Sequence, residues 1–254
     1  MAATERVYGW HAVRAVLERG AERVVMVSVA EQRDDARTRT VLELARRAGL
    51  PVERVSLAQL TKLLGEVAHQ GVYADVRPLA PWGEDDLLAA LARAQSTDSP
   101  LTPLVLVLDG VQDPHNLGAC LRTADACGAL ALVVPRDRAS QLNATVRKVA
   151  AGAAETTPVV AVTNLARSLG LLKEAGLWIV GADAGAAKLA QESDLTGPVA
   201  LVLGAEGSGL RQLTRQTCDL LVRLPQVGAV ESLNVSVAAG MLLYEALRQR
   251  IPAN

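Results

Sequence analysis

The chain has 254 residues, half of them hydrophobic and 21% charged, with a formal net charge of -1. That length allows one large or two ordinary domains with a real buried core, and a charge so near zero excludes the global basic field of a protein that holds nucleic acid by charge alone. Three cysteines, Cys120, Cys127 and Cys218, form no C-x-x-C pair, which argues against a disulfide framework or structural zinc and for a reducing, cytoplasmic setting.

The first block alternates helix and strand. Helical spacing runs over 11–17, a β-branched strand over 24–29, and a charged amphipathic helix over 34–48 that stops at Gly49-Leu50-Pro51. A short strand (52–55), a helix capped by Ser56 (56–64) and a strand (71–76) close it. His11 and His69 read as structural, and Arg33, Arg37 and Arg39 as a solvated face, because Asp34 and Asp35 sit among them. Residues 1–77 carry 12 Lys+Arg against 10 Asp+Glu, residues 78–100 carry 1 against 4, and the remainder 13 against 13. With its prolines and its Gln95-Ser96-Thr97-Asp98-Ser99-Pro100 run, the acidic middle segment reads as a linker around one short helix, 86–93. Two α/β domains are therefore expected, 1–77 and 101–254.

The second block opens on an uninterrupted apolar strand, 104–108, of the buried parallel-sheet kind. Further strands are expected at 131–134, 159–162, 178–181, 199–203 and 220–224, alternating with helices at 117–127, 142–151, 165–175, 210–217 and 234–249. Such alternation predicts an open parallel sheet with helices on both faces, whose ligands sit beyond the carboxyl ends of the strands. The last helix has an almost wholly small or apolar start, expected to be buried, with Ser232 or Asn234 as its cap. No apolar run reaches the roughly 18 residues of a membrane span, and no secretory leader pattern opens the chain.

Three polar, glycine-bearing turns fall at those strand ends: 109–118, 204–209 and 225–234. They lack the G-x-G-x-x-G of a dinucleotide site, the Lys-Ser/Thr of a phosphate loop, a G-x-S-x-G elbow and any histidine pair with metal spacing. What remains is Asn116, Arg122, Glu206, Ser232 and Asn234. Either these polar groups satisfy one another or they hold a ligand.

Taken in order, the turns resemble the three motifs of the SpoU (TrmH) family of RNA ribose 2'-O-methyltransferases in the SPOUT superfamily. Asn116 to Ala124 is similar to motif 1, Leu201 to Leu210 to motif 2, and Ser232 to Ala238 to motif 3. Tyr8-Gly9-Trp10-His11-Ala12-Val13 and His69-Gln70-Gly71 resemble the family's amino-terminal substrate-binding domain, of the ribosomal L30e-like fold. The resemblance implies a carboxyl-terminal deep trefoil knot, S-adenosylmethionine gripped by backbone groups at Gly204, Leu224 and Leu233, a homodimer and no metal. It implies catalytic work for Arg122, Asn116, Glu206, Ser232 and Asn234, and a target guanosine in the peptidyl-transferase loop of 23S rRNA.

A guanidinium holds its proton beyond about pH 12, so stabilising an alkoxide suits Arg122 better than acting as a base. An apolar face on the last helix (Met241, Leu242, Leu243, Leu247) offers itself to the second subunit. Choice of RNA loop is expected to lie in residues 1–77, with Tyr8, Trp10, His11 and Tyr73 as candidates for stacking on bases. Two alternatives stand beside this reading: a 2'-O-methyltransferase acting on tRNA or elsewhere on 23S rRNA, and a non-catalytic ribosome-binding factor.

Overall fold

The computed structural model describes residues 4–65, 67, 69–79, 81–96, 102–230 and 232–251. The chain divides into two units, Met1–Ala80 with Ala151–Thr156, and Pro81–Ala150 with Thr157–Asn254. The segment 97–100, read as the end of a linker, and Ala80 lie outside the described residues.

The first unit contains β1 (Glu5–Tyr8), α1 (Trp10–Arg19), β2 (Val24–Ala30), α2 (Ala36–Arg47), β3 (Val52–Val55), α3 (Leu57–Leu64) and β4 (Val72–Val76). Its sheet runs β1-β4-β2-β3, with β4 antiparallel to both β1 and β2 and β3 parallel to β2. The caps follow from the sequence: Asp35 accepts a hydrogen bond from Thr38 N at 2.8 Å, and Ser56 forms a reciprocal capping box with Gln59. Val13 and Val16 of α1, Val27 and Val29 of β2, and Val41 of α2 are fully buried between helices and sheet. Strand β1 was not foreseen, since only Val7 of its four residues is buried and no alternation extends past it. His69 is structural as expected, its Nδ1 accepting from Gly71 N at 3.1 Å. Tyr73 is a core residue at 4% exposure, which removes it as a base-stacking candidate.

The second unit contains α4 (Glu84–Ala94), β5 (Leu104–Asp109), α5 (Pro114–Ala126), β6 (Ala131–Pro135), α6 (Ala144–Ala150), β7 (Val159–Val162), α7 (Leu165–Glu174), β8 (Trp178–Ala182), β9 (Lys188–Leu189), β10 (Val199–Gly204), α8 (Gln212–Thr217), β11 (Leu220–Arg223) and α9 (Val235–Arg250). All seven strands are parallel, in the order β7-β6-β5-β10-β8-β11-β9. Every residue of β5 is buried, as a strand covered on both faces requires. Val105, Val107, Val133 and Val202 pack with Leu169 and Leu172 of α7 in one core cluster.

Four expectations are corrected here. Helix α4 falls inside the segment read as a linker, yet Leu87 and Leu91 are buried in that same cluster, and Glu84 accepts a hydrogen bond from the buried Ser168 Oγ at 2.6 Å; three acidic residues in its first turn masked an amphipathic pattern. Helix α5 begins at Pro114 rather than Leu117, because Asp113 caps it and proline fits the first turn, where its missing N–H costs nothing. The start of α9 is buried on one side only: Val235 and Ala239 are covered, whereas Val237, Met241 and Tyr244 are 51, 41 and 63% exposed. Leu242 and Leu243, expected on a face for a partner, are fully buried within their own unit.

Candidate active site

Strands β5 and β10 end side by side, with Asp109 and Gly204 in register across the parallel pair. From β5 the chain moves through β6 and β7 toward one edge and then fills the other side, so the β5–β10 junction is the switch point where open parallel sheets hold ligands. The turn after β10 folds back hard on its own strand. A Cβ on Gly204 would stand 2.0 Å from Gly209 C and 2.3 Å from Leu210 N, so no other residue fits. Gly209 N donates to Ala205 O at 2.9 Å, and Gly207 and Gly209 hold φ values of 77° and 64°, the left-handed region glycine adopts freely.

That turn presents Glu206 to the other two. Its Oε1 accepts from Asn234 Nδ2 at 2.5 Å, from Val235 N at 3.1 Å and from Asn116 Nδ2 at 3.3 Å. Asn234 Nδ2 also donates to Asn116 Oδ1 at 3.0 Å, while its own Oδ1 caps α9 by accepting from Ser236 N at 2.9 Å and Ser236 Oγ at 2.6 Å. Three loops distant in sequence are thus tied by one carboxylate and two amides. Of the five polar residues singled out from sequence, Asn116, Glu206 and Asn234 come together directly.

Two clefts flank the knot of hydrogen bonds. One, of about 300 Å³, is lined by Gly204, Leu224, Ser232 and Leu233 with Asp183 and Gln226. The second, also about 300 Å³, is lined by Gly110, Gln112, Asp113, Asn116 and Ser208. Ala205, Glu206 and Val235 line both and form the wall between them. All three residues expected at a cofactor, Gly204, Leu224 and Leu233, and also Ser232, border the first cleft. Arg122 is exposed, lines neither cleft and makes no hydrogen bond or ion pair with a described residue. It lies six positions beyond Asn116 on α5, about 240° along the winding and about 120° the short way round, so the two face different sides of the helix.

Sequence reasoning passed over two carboxylates. Asp109 is 1% exposed; its Oδ2 accepts from Arg211 N at 2.9 Å and its Oδ1 lies 3.3 Å from Arg211 Nε, which clamps the segments that follow β5 and β10. A charged residue ending the apolar run 104–108 was the available signal. Asp183, on the first cleft, takes a hydrogen bond from Arg215 Nε at 2.6 Å, which together with the Gly185 backbone N–H holds its carboxyl below the usual range. Burial pushes the Cys120 thiol up to about 12 and Cys218 to about 11, so neither is a thiolate nucleophile near neutrality. Among the described residues no group of three or more His, Cys, Asp or Glu is placed to hold a metal, and no helix is long and apolar enough to cross a membrane.

Comparison with known proteins gives this geometry its relatives. Residues 103–244 match the model of the SpoU rRNA methylase family, and residues 6–82 that of RNA 2'-O ribose methyltransferase substrate binding. The chain is 52% identical over 252 residues to the 23S rRNA (guanosine-2'-O-)-methyltransferase RlmB of Pseudomonas aeruginosa, covering 99% of each. It is 49% identical over 247 residues to the RlmB of Yersinia pestis, covering 97% of this chain and 98% of that one. Among solved structures, the SpoU methyltransferase AviRb from Streptomyces viridochromogenes in complex with the cofactor AdoMet superposes with a TM-score of 0.74 at 28% identity, over all of this chain and 92% of that one. An RNA 2'-O ribose methyltransferase superposes with a TM-score of 0.73 at 30% identity, over 98 and 90%. With its switch-point clefts, its three tied loops and a matching model over more than half its length, the chain belongs to the SpoU rRNA methylase family.

Proposed function

We infer that the chain transfers a methyl group from S-adenosylmethionine to the ribose 2'-hydroxyl of a guanosine in 23S rRNA. The observation that carries this is 52% identity over 99% of the chain to an enzyme named for that activity, in a chain whose three loops meet around Glu206. The first cleft fits the donor: its size is that of a small-molecule site, Gly204 lets backbone approach closely, and Leu224 and Leu233 offer apolar side chains with main-chain polar groups. When bound there, the donor supplies a sulfonium methyl as electrophile.

The remaining work falls to the protein. The second cleft, polar and separated from the first only by Ala205, Glu206 and Val235, takes the acceptor ribose. Glu206 spends one oxygen on three N–H donors, so its part is to fix the wall and the start of α9 rather than to move a proton. The ribose hydroxyl's proton would pass to solvent water at the open cleft, and a guanidinium beside the developing alkoxide and the flanking phosphate would lower the barrier to its loss. Arg122 is assigned that role, delivered from a second copy of the chain. The exposed stripe of Val237, Met241 and Tyr244 on α9 is the surface we assign to that copy.

We further assign residues 1–77 to choosing the RNA as an L30e-like domain, residues 101–254 to the knotted methyltransferase domain, and the target to the peptidyl-transferase loop. An experimental structure traced through 204–233 tests the knot. A deletion that tests the division of labour must stop before Pro81, because Leu87 and Leu91 belong to the second core. The three cysteines form no disulfide, in keeping with a cytoplasmic site of action. Function itself is tested by incubating the full chain with isotope-labelled S-adenosylmethionine and either 23S rRNA or tRNA transcripts, then digesting to nucleosides. Label in 2'-O-methylguanosine from the 23S fragment is expected; label confined to tRNA, or none in either, refutes the assignment.

A further inference from the structure

The first unit holds a pocket of about 230 Å³ that none of the chemistry above uses. Its floor is apolar, Val29 and Val41 being fully buried and Val72 6% exposed. Trp10 forms a wall, fixed by a hydrogen bond from its indole Nε1 to Arg37 O at 3.1 Å, with the guanidinium carbons of Arg14 and Arg37 each 5.3 Å from its ring centroid. Arg33 and Arg37 are exposed, as a solvated face requires, and both also border this pocket. Arg14 is paired with Glu18 at 2.7 Å and Arg33 with Asp35 at 3.2 Å, whereas Arg37 has no carboxylate partner among the described residues.

The mouth is polar. Gln70 holds a left-handed φ of 50°, and its Oε1 accepts from Trp10 N at 3.0 Å, which leaves the Nε2 hydrogens without a described partner. Gly71 beside it carries φ 76°, and an added Cβ would stand 2.9 Å from Arg33 Cδ, so Arg33 lies across the turn with no room for a side chain beneath it. A hole of this kind suits one flat group. It is smaller than the roughly 300–1,000 Å³ of ordinary small-molecule sites, its aromatic wall and guanidinium favour a π-system, and its unpaired cation favours a phosphate. The Asp35 carboxylate and the Gln70 amide together suit a base edge that both donates and accepts, as guanine's does.

We propose that this pocket takes one unpaired nucleotide of the RNA substrate, its base on the valine floor beside Trp10 and its phosphate against Arg37; this rests on the first unit being the substrate-binding half of the enzyme. A nucleotide read here, away from the reacting ribose, lets the chain select a loop despite its balanced charge. Proteins read RNA sequence at such unstacked bases, while phosphate contacts only position.

The test uses the full chain and a 23S rRNA fragment containing the peptidyl-transferase loop, with Arg37→Gln and Gln70→Ala, both at exposed positions. Arg37→Gln is expected to raise the Kd for the fragment about tenfold and to reduce the salt slope of binding by about one, with an unchanged circular dichroism spectrum and melting profile of the full chain as the check on folding. Photocrosslinking from loop positions substituted one at a time with 4-thiouridine or 8-azidoguanosine is expected to label the peptide containing Trp10 from one position. The proposal is overturned if both variants bind the fragment within twofold of the parent at unchanged slope, or if every crosslink falls outside 8–14, 33–41 and 69–72. Those results alongside normal methylation by the parent chain would remove the pocket alone, whereas a parent that methylates no 23S fragment removes the functional reading and the pocket with it. Variants weakened on ribosomal particles but not on naked RNA would assign the pocket to a protein and overturn the proposal.

Discussion

Replacing Gly204 by alanine should damage the donor site and the stability of the second unit together. The new methyl would begin 2.0 Å from Gly209 C and 2.1 Å from Gly209 O, against the 3.4 Å at which ordinary contact begins, and both obstacles are backbone. The 204–209 turn must open, which breaks the Gly209 N to Ala205 O hydrogen bond and displaces Glu206 from its three donors. Overpacking costs about 1–3 kcal/mol and the lost backbone hydrogen bond about 1 kcal/mol, so a loss near 3 kcal/mol is expected. For a unit of this size that is a fall of about 6–12 °C in Tm. Calorimetry should show S-adenosylmethionine affinity down by more than about tenfold, since the displaced turn is a wall of its cleft. Gly170→Ala supplies the contrast. A Cβ there meets nothing within 4 Å, inside a helix, so it should stabilise by about 0.5–1 kcal/mol with binding unaltered. A Gly204→Ala chain that melts within about 2 °C of the parent and binds the donor within twofold would refute the claim that this close approach builds the site.

Asn234→Asp keeps a good helix cap but sets a second carboxylate against Glu206, so methylation should fall by more than about tenfold and further than in Asn234→Ser, which also caps but carries no charge; equal activity of the two variants would refute the clash. Arg122→Lys keeps its charge yet should lose most single-turnover activity with donor affinity intact, because an ammonium cannot reproduce a planar fork; near-normal turnover would remove Arg122 from the reaction. Met241→Glu combined with Tyr244→Asp alters side chains that are exposed on the single chain, so the fold should persist by circular dichroism while sedimentation shows a monomer and methylation is lost; an active monomer would refute the assignment of that stripe to a second copy. The Asp183 carboxyl is held below its ordinary value by Arg215, so its contribution to stability is present above the unfolded value and lost as pH falls below about 4. Arg215→Gln should therefore destabilise at neutrality and converge with the parent in acid, and a constant gap in denaturant midpoints across that range would refute the linkage.

Much of this architecture was legible because the parallel sheet writes itself plainly. Strands buried on both faces, such as Leu104–Asp109, need unbroken apolar runs, and the helices between them need caps and amphipathic spacing. The convergence of the turns that carry Asn116, Glu206 and Asn234 was legible from the strand alternation, which puts them at one end of the sheet, but their pairing was not, since nothing in local sequence brings residues 90 and 118 positions apart within hydrogen-bond reach. What escaped the sequence escaped for physical reasons. Helix α4 carries Glu84, Asp85 and Asp86 in its first turn, where acidic residues suit the helix dipole, and that charge read as linker composition. The small residues opening α9 read as a single buried surface, but only one side of a helix can meet the sheet, and Val237 and Met241 were left facing out. The Trp10 pocket needs Val29, Val41 and Gln70 from three separate segments, so the arginines near it carried no signal beyond their charge.

Asn234 does two jobs at once, and that bears on how the site is completed. Its Oδ1 caps α9 and its Nδ2 is held by Glu206 and Asn116, so loop closure and the helix start stabilise one another, the cap itself by about 1 kcal/mol. The exposed stripe begins at Val237, three residues past that cap, and Val235, which lines both clefts, is two residues before it. A second chain seated on the stripe therefore lies within about one helical turn of the acceptor cleft. Arg122 lies about 240° along the winding of α5 from Asn116, about 120° the short way round, and lines neither cleft of its own copy. In the proposed dimer, association through α9 would bring the Arg122 guanidinium to a cleft lined by amides, a hydroxyl and carboxylates, and activity would then depend on the same helix whose cap builds the site.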